Sequence, residues 1–417
     1  MSEKLYVWTT NKARLLSACQ YYRIKVPFRS MIEMGYANVY EDNGESPKTT
    51  LQAMLTSDIV HFYSIGGVGA LHQIDTINKM NPGIMADKEV HYPPAVVYDA
   101  DDNSDFVHPM NATFLHLGVR SYPDCKLLEP GEDLEIEWPD GKREFLLQDK
   151  ISGDTEIKFD IERNLSEMKI RHQIIRACAG ATAPNRALAS YFKDVIKQPN
   201  VHIFPNTIIP EDYKSFKMVK PDPDKIRIFW QGSVSHWVDW YPLKDAIKEA
   251  SIRYPQITWV IYGTKFNWVH EAIPKDMIEY HDWTAYEAYR LHRGILSIDI
   301  NLCPLADNPF NRCKSAIKWY EASIWDEPEA TLAAQVEPYH EIEDGVTGLL
   351  YKTPEEFLQK LDVLIKNVEL RKTLAHNARK WVLENRIAEK TIPDLVNFYR
   401  EIKERQKHNF LAKIARS

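Results

Sequence analysis

No stretch of this sequence approaches the ~20 consecutive apolar residues that a membrane span needs. Its first residues, Met1-Ser2-Glu3-Lys4, lack the apolar core of a signal peptide. Both absences predict a cytoplasmic protein. The cysteines, Cys19, Cys125, Cys178, Cys303 and Cys313, are odd in number and scattered, with no Cys-x2-Cys pair. That pattern suggests neither a disulfide framework nor a zinc site. Positive charge is not in surplus either. Lys and Arg total 52 against 59 Asp and Glu, a formal charge of −7. Nothing therefore draws the whole molecule to nucleic acid or an anionic membrane, although a local basic groove stays open. Internal repeats and low-complexity tracts are missing too.

What is present fits a globular protein. Apolar residues make up 44% and charged residues 27%, and 417 residues are too many for one core, which predicts two or three domains. Tryptophan and tyrosine are plentiful, often in polar surroundings, as in Ser235-His236-Trp237-Val238-Asp239-Trp240-Tyr241. Such rings hold sugars and bases, or simply fill a core.

Strand and helix patterns alternate in the first part. Apolar runs at Leu5 to Thr9, Ile59 to Tyr63 and Pro94 to Tyr98 predict parallel strands. Between them lie a helix over Ala18 to Met34, ended by Gly35, and another opened by Gly66-Gly67-Val68-Gly69. The alternation predicts a parallel sheet covered by helices. It breaks between about Ser121 and Phe159, where Leu134 to Trp138, Pro139-Asp140-Gly141 and Glu144 to Leu147 predict an inserted hairpin. A Pro- and charge-rich linker is expected from about Pro210 to Lys225. A second alternating region begins at Ile226 to Gln231, with strands expected at Thr258 to Tyr262, Ile295 to Leu302, Thr331 to Ala333 and Gly348 to Tyr351. From Pro354 to about Lys407 the pattern is almost continuously helical.

The richest segment is Asp307-Asn308-Pro309-Phe310-Asn311-Arg312-Cys313-Lys314-Ser315-Ala316-Ile317-Lys318-Trp319-Tyr320-Glu321. It follows a buried strand and is expected to open a helix with Lys314, Lys318 and Glu321 on one face. Two ammonium groups and free N–H groups at a helix start suit a diphosphate, and a carboxylate further along suits ribose hydroxyls. Alone, the pattern also fits a surface helix with solvated lysines. Next comes Glu337-Pro338-Tyr339-His340-Glu341-Ile342-Glu343-Asp344-Gly345-Val346-Thr347-Gly348-Leu349-Leu350.

Together these segments resemble the donor half of a GT-B glycosyltransferase of the large "group 1" type. The resemblance implies an α/β chain of two Rossmann-like domains facing across a cleft, with the antiparallel β insertion in the first. It is sharpest over 226–351. Phe204-Pro205-Asn206 is similar to the family segment that ends the first domain. Lys-Ser-x2-Lys-x2-Glu at 314–321, and Tyr22-Arg23 followed by Pro27, look closest to phage-encoded members. Many relatives carry a Glu eight positions before Glu321; here that position is Cys313, which alters the expected sugar contacts.

The implied domains are 1–215, an acceptor domain with the β insertion at about 121–160; 216–390, a nucleotide-sugar donor domain; and 391–417, a basic helical tail packing back on the first. The implied donor site is Gly232, Ser233, Lys265, Trp283, Lys314, Ser315, Lys318 and Glu321. Trp283 is expected to pack its ring and offer its backbone to the base. Gly232-Ser233 and Lys265 equally fit a plain turn and a solvated loop lysine. Tyr22 and Arg23 are expected at the cleft, although a helix-surface arginine in an ion pair fits Arg23 as well. Asp99, Asp101 and Asp102 follow a strand end, where carboxylates bind hydroxyls, act as a base, ligate a metal or cap a helix; Asp101 and Asp102, with Lys314, are the candidate catalytic groups, and His108 is a candidate cleft residue. The resemblance implies transfer of a sugar from a nucleoside diphosphate sugar, UDP favoured, with retention of anomeric configuration and no required cofactor or metal. The phage likeness raises a hydroxymethylated base in DNA as acceptor, which would place the protein in the cytoplasm of a bacterial host. A polysaccharide, lipid or protein hydroxyl stays open, as do a sugar-nucleotide epimerase and a non-catalytic binding module.

Overall fold

The computed structural model describes residues 3–10, 17–42, 47–84, 90–109, 111, 113–121, 126–127, 135–137, 141, 143–145, 159–214 and 222–415. By its packing the chain forms two compact units. One comprises Met1–Asp102, Ser166–Ile209 and Asn385–Ser417, the other Asn103–Leu165 and Pro210–Glu384. This division departs from a single boundary near 215. The segment after Asp102, assigned above to the first domain, groups with the second unit, and the last helix groups with the first.

The first unit is built on a six-stranded parallel sheet. Its strands are β1 (Leu5–Thr10), β2 (Ala37–Asp42), β3 (Ile59–Tyr63), β4 (Ala95–Asp99), β5 (Gly180–Ala183) and β6 (Val201–Ile203), in the order β6-β5-β4-β3-β1-β2. The central strands read as near-continuous apolar runs because both faces are covered: Ile59, Val60, Val96 and Val97 have no exposed surface. The helix Ala388–Ile414 packs on this unit. Phe398 stacks on His202 at 5.0 Å, and Lys403 pairs with Asp58 at 2.9 Å. A side chain at Gly180 would lie 2.8 Å from the Phe398 ring, so only glycine admits the helix so close to β5.

The second unit carries another six-stranded parallel sheet. Its strands are β7 (Ile226–Gly232), β8 (Ile257–Gly263), β9 (Ile278–His281), β10 (Ile300–Cys303), β11 (Ala330–Ala334) and β12 (Leu349–Tyr351), in the order β9-β8-β7-β10-β11-β12. β10 starts later than expected. Ile295 and Leu296 instead close the C-terminal turn of the helix Tyr286–Arg293, donating to His292 and Arg293 carbonyls at 3.1 Å. An apolar run without Gly or Pro inside it does not separate a helix end from a strand.

The expected hairpin is present as antiparallel strands Glu135–Glu137 and Arg143–Phe145, joined past Gly141 at φ +81° and extended by Lys126–Leu127. Residues 134, 138–140 and 146–147 of that expectation lie outside the described residues, as do 215–221 of the linker and position 125. Among the described residues, no helix is long and apolar enough to cross a membrane.

Candidate functional site

Parallel sheets collect ligands at the carboxyl ends of their strands. In the second unit, β7 ends at Gln231-Gly232. A stack of Trp230 on Trp240, centroids 4.1 Å apart, holds the next turn against the strand. A Cβ on Gly232 would meet the Trp230 ring at 2.6 Å and His236 at 3.1 Å, so the chain passes here only as glycine. Ser233 is exposed and exchanges a hydrogen bond with Ser235 at 2.7 Å.

The turn brings His236 and Asp239 under the start of the helix Ile317–Ile324. His236 Nδ1 lies 2.6 Å from Asp239 Oδ2. Asp239 Oδ1 accepts the Ala306 N–H at 2.9 Å and the Asn311 amide at 2.7 Å. Burial would raise the Asp239 carboxyl, but the hydrogen bond from His236 and the Ala306 N–H bring it below its ordinary range. Burial, aided by Lys318, lowers His236 to about 4, so its ring is neutral near pH 7. Lys318 Nζ donates to the Gln231 carbonyl at 3.0 Å and lies 3.4 Å from His236 Nε2. Burial pulls this ammonium down to about 8.

Lys314 does not sit on the helix face expected for it. The helix begins at Ile317, and Lys314 is extended (φ −74°, ψ 167°) after a short 3-10 turn, its ammonium 4.5 Å from the centroid of Phe310. The Asp239 clamp on Ala306 and Asn311 shapes this loop and delays the helix. Ser315 lies between Lys314 and the helix, and Ala316 caps it without a side-chain hydrogen bond. The two lysines nonetheless act on the same group: both depress His236, and Lys314 also helps to hold Asp239 ionised.

Glu321 is 5% exposed and central to a polar network. Its Oε1 accepts from Tyr286 at 2.6 Å, and its Oε2 from Gln231 Nε2 at 3.0 Å and Tyr289 at 3.5 Å. Gln231 thus touches Glu321 through its side chain and Lys318 through its carbonyl.

Lys265 and Trp283 lie at the ends of β8 and β9 and are not part of this cluster. Lys265 pairs at the surface with Asp282 at 2.7 Å, its ammonium 5.4 Å from the Tyr280 centroid. Trp283 is 62% exposed, so its ring does not pack as expected; Ala285 and Tyr286 start the next helix without it. An open cavity of about 630 Å³ adjoins the loop before Lys314, lined by Asp307, Arg312, Glu337, Tyr339 and His340 among others.

In the first unit the expected acidic cluster divides. Asp99 and Arg23 are 1% exposed and form a two-pronged pair: Arg23 Nε donates to Asp99 Oδ2 at 3.0 Å, and Nη2 donates to Oδ1. Arg23 Nη1 donates to the Phe204 carbonyl at 2.5 Å and to Asn206 at 3.2 Å, while Thr182 donates to Asp99. These contacts tie the Tyr21–Lys25 turn to the ends of β4, β5 and β6. Tyr22 is buried as well. Arg23, Tyr22 and Asp99, expected at a cleft, are thus buried here, and Arg23 is in an ion pair. The same buried ring holds His61, lowered to about 4 by burial.

Asp101 and Asp102 remain half-exposed. Tyr63 donates to Asp101 Oδ1 at 2.7 Å. Burial and then the Asp102 charge raise Asp101 above the ordinary carboxylate range, against the pull of Cys19, Tyr63 and Arg23. Ser64, beside Tyr63, has φ +45°, a strained value for a residue with a side chain. His108 is buried in the second unit.

Residues the sequence reading left out of the site are His236, Asp239, Gln231, Tyr286 and Tyr63. For His236 and Asp239 a signal existed: a His-x2-Asp step directly after a glycine turn at a strand end. Among the described residues, no group of three or more His, Cys, Asp or Glu side chains is placed to hold a metal ion.

No family model matches the sequence, and no curated protein sequence does. Solved structures do match in shape. A glycosyltransferase from Rickettsia africae aligns with a TM-score of 0.60 at 11% identity, over 96% of this chain and 99% of its own. Sucrose-phosphate synthase from Thermosynechococcus elongatus aligns at 0.57 and 10% identity, over 95% and 98%. Anabaena HepE, solved with UDP and glucose, aligns at 0.56 and 11% identity, over 95% and 100%. The chain has the GT-B fold.

Proposed function

We propose that this protein is a glycosyltransferase that moves a sugar from a nucleoside diphosphate sugar to an acceptor hydroxyl. The observation that carries this reading is the Lys314–Lys318 pair at an uncapped helix start beside the end of β7. That arrangement suits a diphosphate, and HepE, of the same fold, was solved with UDP and glucose.

In this reading Lys314, Ser315, Lys318 and the helix start take the diphosphate. They stabilise the charge that grows on it as the glycosidic bond breaks. Gly232 and Ser233 let the backbone approach the phosphates. Glu321 takes ribose hydroxyls by exchanging one of its present donors, Gln231 or Tyr286. The base lies toward Trp283, and Lys265 reaches a phosphate only by releasing Asp282. UDP is the favoured nucleotide, with no metal required, and the resemblance to group 1 enzymes supports retention at the anomeric carbon. On the acceptor side, Asp101 and Asp102 hold the attacking hydroxyl.

The test is release of nucleoside diphosphate from a panel of nucleotide sugars, with and without hydroxymethylated DNA. Release that depends on that DNA supports a DNA-modifying transferase, the acceptor raised by the phage likeness. Slow release regardless of DNA keeps the transferase and moves the search to saccharide, lipid or protein hydroxyls. Conversion of the sugar without release indicates an epimerase. Binding without turnover indicates a binding module, and neither binding nor release overturns the reading. Proton NMR of the product's anomeric position tests retention.

A further inference from the structure

Three side chains in the second unit form a line from the protein interior to the proposed phosphate position: Asp239, His236 and Lys318. Asp239 is 5% exposed. It joins the turn after β7 to the loop after β10, because one oxygen holds His236 and the other holds Ala306 and Asn311. Since Asp239 is ionised, His236 Nδ1 must carry the proton between them, and Nε2 is left as an acceptor. Lys318 Nζ, 3.4 Å away, donates to it, and also to the Gln231 carbonyl at 3.0 Å. Both acceptors are uncharged. A carboxylate in either position would cancel the ammonium; a neutral imidazole orients it and leaves its charge available to an anion.

We propose that His236 and Asp239 are positioning residues that aim the Lys318 ammonium at the donor diphosphate. This rests on the nucleotide-sugar reading and adds to it the groups that set the charge of the phosphate site.

The groups that face Lys318 are few. His236 and Asp239 come from the turn, Cys303 from β10, and Lys314 and Glu321 from its own segment. Lys314 disfavours the charged form, whereas Asp239, Glu321 and Cys303 favour it, and burial outweighs them all. With burial drawing Lys318 down to about 8, the empty site is mostly deprotonated by about pH 9. A bound diphosphate restores it, drawing one proton from solvent with no covalent change.

The experiment is calorimetric titration of the full chain with UDP, in two buffers of different ionisation enthalpy, at about pH 6.5 and about pH 9. Wild type should take up close to one proton at the higher pH and little at the lower. Lys318→Arg should abolish the uptake and flatten the pH dependence of affinity, since guanidinium does not titrate in this range. His236→Ala should weaken binding by about tenfold or more at the lower pH. His236→Gln, whose amide oxygen still accepts from Lys318, should stay within about threefold of wild type and keeps the test readable if His236→Ala fails to fold. Wild-type affinity in a folded His236→Ala, or equal losses in His236→Ala and His236→Gln, would each overturn the proposal. Failure of wild type to bind UDP, GDP, ADP and dTDP alike would overturn the nucleotide-sugar reading itself.

Discussion

Each unit places a charged group at the carboxyl ends of its strands, Arg23 buried in the first and Lys318 half-buried in the second, and the two are used differently. In the first, Arg23 meets Asp99 directly, with Thr182, Phe204 and Asn206 filling the remaining positions. The charge is cancelled where it stands and serves to hold strand ends together. In the second, Lys318 meets a carbonyl and a neutral imidazole, and the Asp239 carboxylate stands behind that imidazole. The first arrangement turns its charges on each other; the second, in the proposed reading, keeps an ammonium for an anion. Buried charge is thus a poor guide to function until its partner is known.

The contrast is open to direct attack. The largest effect should come from Arg23→Met, which strands Asp99 in the core and should cost about 3–5 kcal/mol, read as a lower denaturation midpoint. Lys318→Met should do the opposite to stability while removing UDP affinity by about tenfold to a hundredfold. Its folded value of about 8 lies below the ordinary 10.5. The cost of the buried ammonium is thus fully present below about pH 8 and fades as the pH rises toward 10.5. Denaturation at about pH 7 and about pH 10 should show wild type gaining stability with pH and Lys318→Met losing that gain. Equal destabilisation by both substitutions would erase the distinction.

A smaller effect should follow from Tyr63→Phe. Tyr63 donates to Asp101 and favours its ionised form. Removing it should raise Asp101 further and move the acid limb of acceptor-dependent transfer to higher pH, with donor affinity unchanged. Smallest of all is Trp283→Ala. Its ring is exposed, so stability should change by less than about 0.5 kcal/mol, and UDP affinity should fall by only a few fold if the base stacks there.

Where local pattern decided structure, the sequence was a good guide. β3 spans Ile59–Tyr63 as expected, and β7 runs from Ile226 one residue past the expected Gln231. Apolar runs that end in turns leave little choice in a doubly covered sheet. The Lys314–Glu321 segment was recognisable from spacing and likeness, but its conformation was not. The helix starts at Ile317 because Asp239, some seventy residues earlier, anchors the preceding loop. The Arg23–Asp99 pairing was hidden for the same reason: two charges 76 positions apart meet in space, and no periodicity reports that. Glu321 was expected to wait for a ribose; three donors from two other elements, Gln231 on β7 and Tyr286 and Tyr289 on one helix, already hold it.

The helix Ala388–Ile414 has a consequence for the protein's birth on the ribosome. The first sheet's strands are all translated by Ile203, yet the helix that covers β5 at Gly180 emerges after the whole second unit. The nascent chain must therefore carry a half-dressed sheet through the synthesis of nearly two hundred residues, while the later unit has all its parts in hand first. An arrest before Phe398 would leave that apolar surface open to solvent and to chaperones, and the order of completion would run opposite to the order of translation.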